Sequence, residues 1–349
     1  MAIPSQIADF VLVYFTFMDL PSTKAHALQI IKTCTALTHL GVNVDLVVSD
    51  LRQNIEDIWS QYGVTPLNNK LRILPIENKR RALSLLLHRK AVAYTRSTRW
   101  VKFLLDFKWL HRSPVVFETH RKSLYYPRDL ETGIAHATSG EMRKLDSIFR
   151  KADGVVCAHG STWAQLRGNN VKSLLLWYGW SHSAPEATGP PWKVGYASSK
   201  EHGFITEAAS LTSGLEIHIF GGSRAEIIQV GGSRVVFHPF LSHSNLLRNL
   251  REVGIMISLD EGLKLGDYLS LSGAIVAPRM PSTLEILNRA ALYFSYGSVA
   301  SLAKALQDIR DNTRLFEALK SSASVRSRFY RWPYKAMKLK QFLSSFWSE

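Results

Sequence analysis

The chain predicts an α/β protein made of two Rossmann-like β/α/β domains facing each other across a cleft. Three observations carry this expectation. Short apolar, β-rich runs alternate with segments of helical spacing along the chain. A proline-rich break, "SHSAPEATGPPW" at 181–192, divides the alternation into two series. Finally, 349 residues with 46% apolar composition exceed what one hydrophobic core usually organises.

The first series opens with "ADFVLVYFTF", a continuous apolar run of the kind buried in parallel sheets. "TKAHALQIIKTCTALTHLG" follows with helical spacing and ends at Gly41, and "VNVDLVVS" is the next strand. "AVAYTR", a helix near 97–111, "PVVFETH", a helix near 139–151, "ADGVVCAH" and "KSLLLWYG" complete it. After the break the strands are "WKVGYAS", "LEIHIFGG", "RVVFHPF", "VGIMISLD", "GAIVAPR" and "ALYFSYG", each followed by a helix. The domains therefore span 1–180 and 193–327, with 181–192 as linker. In such folds ligands bind at the carboxyl ends of the strands.

Composition narrows the function classes. The early run "FVLVYFTFM" is too short to cross a bilayer and has no basic leader, so the expected location is the cytoplasm. Cys34 and Cys157 are the only cysteines, which excludes a disulfide framework and a cysteine-based zinc site. The twelve histidines lack metal-ligand spacing, so no metal site is expected.

The net charge of +15 is segregated. Lys plus Arg against Asp plus Glu is 24 to 14 over 1–180, 12 to 13 over 181–319, and 7 to 1 over 320–349. Segregated basic charge suggests a surface that meets polyanions. Between 70 and 102, ten Lys or Arg, among them Arg80, Arg81, Arg89 and Lys90, face only Glu77 and are interleaved with "LSLLL", Trp100 and "FLL". That pattern predicts a basic amphipathic surface able to bind anionic membrane, peripherally on its inner face. Nothing in the pattern points to nucleic acid. In the tail, Trp332, Ala336, Leu339 and Leu343 form an apolar stripe beside a basic face of Arg331, Lys335 and Lys338, with Pro333 near the helix start.

In "SLDEGLKLGDYLSLSG" the helix carries Lys264 and Asp267 among apolar residues, at the i, i+3 spacing of an ordinary surface pair worth about 0.2–0.5 kcal/mol. In "STLE", Ser282 and Glu285 fit a capping box. The strand ending in "ETH" brings Glu118 and His120 to the cleft edge, where a neutral imidazole can hydrogen-bond a hydroxyl or relay a proton.

The order and spacing of "PSTKAHALQIIKTCTALTHLGVNVDLV", "VVFETH", "ADGVVCAH", "VVFHPFLSHSNLLRNL", "LKLGDYLSLSGAIVAP" and "YRWPYKAMKLKQFL" resemble the retaining GT-B glycosyltransferases of the family-four type. The resemblance implies a metal-independent retaining hexosyltransferase without cofactor. It would move a sugar from a nucleotide-sugar donor to a cell-envelope, lipid-linked or exopolysaccharide acceptor held by the first domain. It also implies that the last helix, 328–349, packs back on that domain.

Its site implications fall on particular residues. Asp267 would grip the donor ribose, and Glu261, with Asp260 beside it, would address the donor sugar. Lys264 and Leu265 would stand near the diphosphate at a helix amino terminus, and Phe240 and Leu241 would complete the donor site. His120 would lie beside the transferred sugar. Thr23 and Lys24, with Ser22, would form the acceptor and phosphate turn together with Glu118. The family's usual Arg after the linker is absent from "VGYASSKEHGF", where Lys200, next to His202, takes its place. The alternative reading is a catalytically silent GT-B scaffold that binds a nucleotide sugar or a partner glycosyltransferase.

Overall fold

The structure is a computed structural model and describes residues 10–22, 25–67, 69–76, 78–87, 90–120, 139–177, 179, 186–198, 200–223, 225–259 and 264–347. The chain forms two compact units, residues 1–179 with 332–349 and residues 180–331.

Unit 1 runs β1 (Val11–Phe15), β2 (Asp19–Leu20), α1 (Ala25–His39), β3 (Asn43–Val48), β4 (Asp50–Leu51), α2 (Ile55–Tyr62), β5 (Leu71–Pro75) and α3 (Lys79–Leu87). It continues through β6 (Ala91–Thr95), α4 (Thr98–Asp106), α5 (Lys108–His111), β7 (Val115–Thr119), α6 (Ser139–Lys151), β8 (Gly154–Cys157), α7 (Gly160–Gly168) and β9 (Ser173–Leu175). Seven strands make one parallel sheet in the order β5-β3-β1-β6-β7-β8-β9. The order reverses direction between β1 and β6, which opens a crevice at their carboxyl ends. The continuous apolar runs follow from this topology, because helices cover both faces and β1, β6 and β7 are buried nearly throughout.

Unit 2 runs β10 (Lys193–Ala197), α8 (His202–Ser210), β11 (Ser213–Gly222), β12 (Glu226–Val230), β13 (Gly232–Pro239), α9 (His243–Leu250), β14 (Ile255–Ile257) and α10 (Lys264–Ser270). Then come β15 (Ala274–Pro278), α11 (Pro281–Leu287), β16 (Ala291–Phe294), α12 (Val299–Asp311), α13 (Thr313–Ser327) and a 3₁₀ turn at Arg328–Tyr330. Its sheet order is β12-β13-β11-β10-β14-β15-β16, so the corresponding crevice lies between β10 and β14. The chain then returns to unit 1 as α14 (Trp332–Ser344), whose Ala336, Leu339 and Leu343 join the core formed by α1, β1 and β3.

The structure corrects several expectations. β11 is followed by a strand, not a helix: three residues separate it from β12, which turns through Gly231 at φ +58° to pair antiparallel with β13. A side chain at Gly231 would strike the Ser210 carbonyl, so this turn has room for glycine alone. The helix near 97–111 breaks at Phe107 into α4 and α5. The cap of α11 is Met280, whose N–H donates to Thr283 Oγ1 at 3.2 Å, with Pro281 at the first helical position. Ser282 and Glu285 therefore do not cap it, and the Glu285 carbonyl instead accepts from Arg326 at 2.6 Å.

Two corrections concern charge. Of the apolar residues interleaved with the basic run of 70–102, Leu83, Leu86, Trp100 and Leu104 are buried against β1, β6 and β7, leaving Arg80, Arg81 and Leu87 on the outside. These four buried groups cannot insert into a bilayer while the sheet needs them. In α14, Lys335 is buried and Arg331 and Lys338 are half-buried, so the three do not form an open basic face, and Lys335 lies one residue from Ala336 on the packed side.

Candidate functional site

In unit 1 the crevice at the β1/β6 reversal is a cleft of about 520 Å³, lined by Thr16, His26, Arg96, Ser97, Glu118 and His120 among others. Its rim is fixed by local bonds. The Thr95 hydroxyl donates to the Phe15 carbonyl at 2.8 Å, Trp100 Nε1 donates to the Thr16 carbonyl at 3.2 Å, and Ser97 caps α4.

Pleating then places the polar groups. Tyr14 pairs with Tyr94, Tyr94 pairs with Val116, and Glu118 stands two residues further along β7 on the same face. Both tyrosine hydroxyls reach Glu118 Oε2, at 3.2 Å from Tyr14 and 2.9 Å from Tyr94. His120, again two residues on, brings Nε2 within 2.9 Å of Glu118 Oε1. One buried carboxylate thus gathers Tyr14 from β1, Tyr94 from β6 and His120 from just past the end of β7.

Electrostatics decide its charge state. Burial works against ionisation of Glu118, but Arg96, His120 and Lys335 together outweigh it and hold the carboxyl well below its ordinary range. Burial pushes His120 down despite the neighbouring carboxylate, which keeps the imidazole neutral near pH 7. Burial lowers Lys335 to about 8, with Glu118 opposing the shift and Arg96 adding to it. Both tyrosines are pushed well above their usual value, by burial first and by Glu118 second. An ionised oxygen of Glu118 only 2.9 Å from Nε2 of His120 favours the tautomer that carries its proton there, so Nδ1 becomes the acceptor atom of the ring.

Unit 2 is built differently at the β10/β14 reversal. Tyr268 of α10 accepts the Ala197 N–H at 3.1 Å, which ties α10 to the end of β10. Asp267, beside Tyr268, is half-buried in the first turn of α10. Lys200 is exposed just past β10, its backbone held by Ser198 Oγ and the Tyr196 hydroxyl at 3.2 and 3.0 Å. Phe240, immediately after β13, is 84% exposed, and Leu241 precedes the Ser242 cap of α9.

Some predicted site residues fall elsewhere. The side chain of Leu265 is wholly buried, so it cannot touch a ligand and can contribute only its backbone. His202 turns Nε2 onto the Ser198 carbonyl at 2.6 Å and lines a separate groove against Phe237. Arg80, Arg81 and Lys90 stand outside the unit 1 cleft. Thr23, Lys24, Arg89, Asp260 and Glu261 lie outside the described residues, as does the side chain of Lys264. Among the described residues, no cluster of three or more His, Cys, Asp or Glu could hold a metal ion.

Sequence reasoning missed Arg96, Tyr14, Tyr94 and Lys335. The signal for Arg96 was present, since it ends a buried strand as "ETH" ends its neighbour. For Lys335 there was none, because only the fold brings residue 335 to residue 118. Unit 2 also holds an unexpected chain of polar groups. His218 Nε2 lies 2.7 Å from Glu216 Oε1, and His218 Nδ1 lies 2.8 Å from His238 Nε2.

No family model matches the chain, and no curated protein matches it by sequence. Solved structures match it over nearly its whole length and share its GT-B fold of two Rossmann-like units. Anabaena Alr3699/HepE in complex with UDP aligns at TM-score 0.69 and 10% identity, over 97% of this chain and 100% of that one. Sucrose-phosphate synthase from Thermosynechococcus elongatus aligns at 0.70 and 12%, over 97% and 99%. The pneumococcal O-GlcNAc transferase GtfA in complex with UDP and GlcNAc aligns at 0.69 and 9%, over 98% and 100%.

Proposed function

We propose that this chain is a retaining glycosyltransferase that moves a sugar from a nucleoside-diphosphate sugar, a UDP-sugar by preference, to a glycan or lipid-linked acceptor of a cell-envelope or exopolysaccharide pathway. The observation that carries the reading is the buried Glu118–His120 pair at the switch point of unit 1, with Arg96 and Lys335 as counter-charges. The shared fold with UDP-bound proteins and a glycosyltransferase supports it.

In this reading His120 Nδ1 accepts a hydrogen bond from a hydroxyl of the transferred sugar and holds that sugar for attack. The C1–O bond to the diphosphate breaks, and an acceptor oxygen bonds to C1 on the same face. The acceptor proton passes to a departing phosphate oxygen. In unit 2 Asp267 accepts from the donor ribose, the exposed Phe240 ring stacks on the base, and Lys200 offsets the charge growing on the diphosphate. The chemistry proposed calls on side-chain cations and no metal.

A panel of nucleotide sugars, assayed by calorimetry for binding and by product analysis for hydrolysis and transfer, tests this. UDP-sugar turnover with net retention is the expected result. Binding without hydrolysis or transfer across the panel would instead leave a silent nucleotide-sugar scaffold. That second reading has one observation in its favour: the segment following β10 offers Lys200 and no arginine.

A further inference from the structure

The helices α3, α4 and α5 follow one another on one side of the unit 1 sheet, where Leu83, Leu86, Trp100 and Leu104 pack against β1, β6 and β7. Their outer surface is strongly basic. From Lys79 to Arg112 the sequence holds ten Lys or Arg and a single acidic residue, Asp106. Arg80, Arg81, Lys90 and Arg112 are exposed, and none of them lies within ion-pair distance of a carboxylate among the described residues.

On this basic surface α5 presents apolar groups to solvent. Trp109 is 73% exposed, Leu110 43%, and Leu87, at the end of the neighbouring α3, 39%. The exposure is fixed by the turn. His111 is buried, its Nε2 donates to the Leu104 carbonyl at 3.0 Å, and its Nδ1 accepts the Ser113 N–H at 3.1 Å. Lys108 is paired with Asp153, and Arg112 closes the turn in the left-handed region with its N–H on the Lys108 carbonyl at 2.9 Å. With residues 108 and 111 held, helical geometry points 109 and 110 outward. Trp109, the most exposed tryptophan among the described residues, thus sits on a turn whose flanking residues are held by bonds of their own.

We propose that this face docks on an anionic lipid bilayer, with Trp109, Leu110 and Leu87 entering the headgroup boundary and the surrounding basic residues meeting lipid phosphates. Charge complementarity selects the occupant. A second copy would bring the same positive face and be repelled. A soluble polyanion would satisfy the charges but leave Trp109 and Leu110 in water. An anionic bilayer offers phosphates and an apolar phase within a few ångströms of each other, and tryptophan favours that boundary. The anchor differs from the one read in the sequence, since Trp100, Leu83 and Leu86 are committed to the core and only Leu87 of "LSLLL" joins the exposed apolar groups.

Sedimentation of the intact chain with vesicles tests the proposal, using phosphatidylcholine alone and phosphatidylcholine mixed with phosphatidylglycerol. Partition onto the mixed vesicles at low salt, weakened by added salt, is expected. Trp109→Ala with Leu110→Ala should lower that partition about tenfold or more, and Trp109→Phe should retain most of it. Replacing Arg80, Arg81, Lys90 and Arg112 by Gln should lower it roughly fivefold for each charge that reaches the surface. Thermal unfolding and nucleotide-sugar binding should not change in any of these variants, so failure here is separable from failure of the proposed activity. Equal sedimentation with both vesicle types would overturn the proposal. So would undiminished partition of the Trp109/Leu110 variant, or binding of soluble polyphosphate with no vesicle partition.

Discussion

Unit 1 and unit 2 reach the same topological reversal and furnish it with different materials. At β1/β6 the polar groups spring from buried strand positions and lock together around one carboxylate, Glu118. At β10/β14 the candidate groups are an exposed lysine, an exposed phenylalanine and a half-buried aspartate on a short helix, and the tightest polar chain, Glu216–His218–His238, belongs to β11 and β13. A preorganised charge needs a rigid, desolvated frame, so chemistry and folding are entangled in unit 1. Exposed groups bind ligand without supporting the fold, so in unit 2 affinity and stability should separate.

The largest expected effect tests that entanglement. Glu118→Gln leaves Arg96 and Lys335 facing no buried negative charge and should cost about 3–5 kcal/mol of unfolding free energy. A urea midpoint corresponding to a loss under about 1 kcal/mol would show that the cluster is not held together by its charge. Next, His120→Ala should slow transfer by about 100-fold or more while UDP affinity stays at wild type, since the proposed mechanism has the ring act on the transferred sugar. Loss of UDP affinity in that variant would erase the division of labour between the units.

Asp267→Ala and Phe240→Ala sharpen the comparison from the other side. Each should weaken UDP-sugar binding about tenfold by calorimetry, with melting temperature nearly unchanged, because neither side chain is part of the packed core. The smallest effect concerns pH. Lys335, lowered to about 8 by burial, should lose its proton above that pH, and transfer should decline with it. Stability should move the opposite way. Between about 8 and the ordinary lysine value of 10.5 the unfolded chain holds a proton that the folded chain has released, so stability should rise with pH. Lys335→Arg should abolish the alkaline decline in rate, and a profile unchanged in this variant would assign the decline to another group.

The sequence made the α/β alternation legible because parallel strands buried on both faces leave unbroken apolar runs, as in "FVLVYF" and "GVVCA". It concealed β12, since "EIIQV" reads equally as helix or strand and only the glycines at 231 and 232 argue for a hairpin. Glu118 and His120 were visible as polar residues ending an apolar strand. Their partners were not, because Tyr14 and Tyr94 look like core aromatics until register places them beside a carboxylate. Amphipathic spacing misassigned Lys335 because it assumes a lysine faces water, and this one is buried near an opposite charge. Leu265 shows the converse, where a resemblance correctly finds a helix but says nothing about which face a side chain takes.

The return of α14 to unit 1 bears on how the chain is made. Unit 2 occupies 180–331 as a continuous stretch and can close once Arg331 has left the ribosome. Unit 1, begun first, must wait for Leu339 and Leu343 to fill the core beside α1, and for Lys335 to reach Glu118. Synthesis order and completion order are therefore inverted. A chain stopped short of Trp332 would carry a finished unit 2 and a unit 1 with an open apolar groove and a missing counter-charge. Such a product would offer apolar surface to chaperones or proteases, which ties the completion of unit 1 to the synthesis of α14.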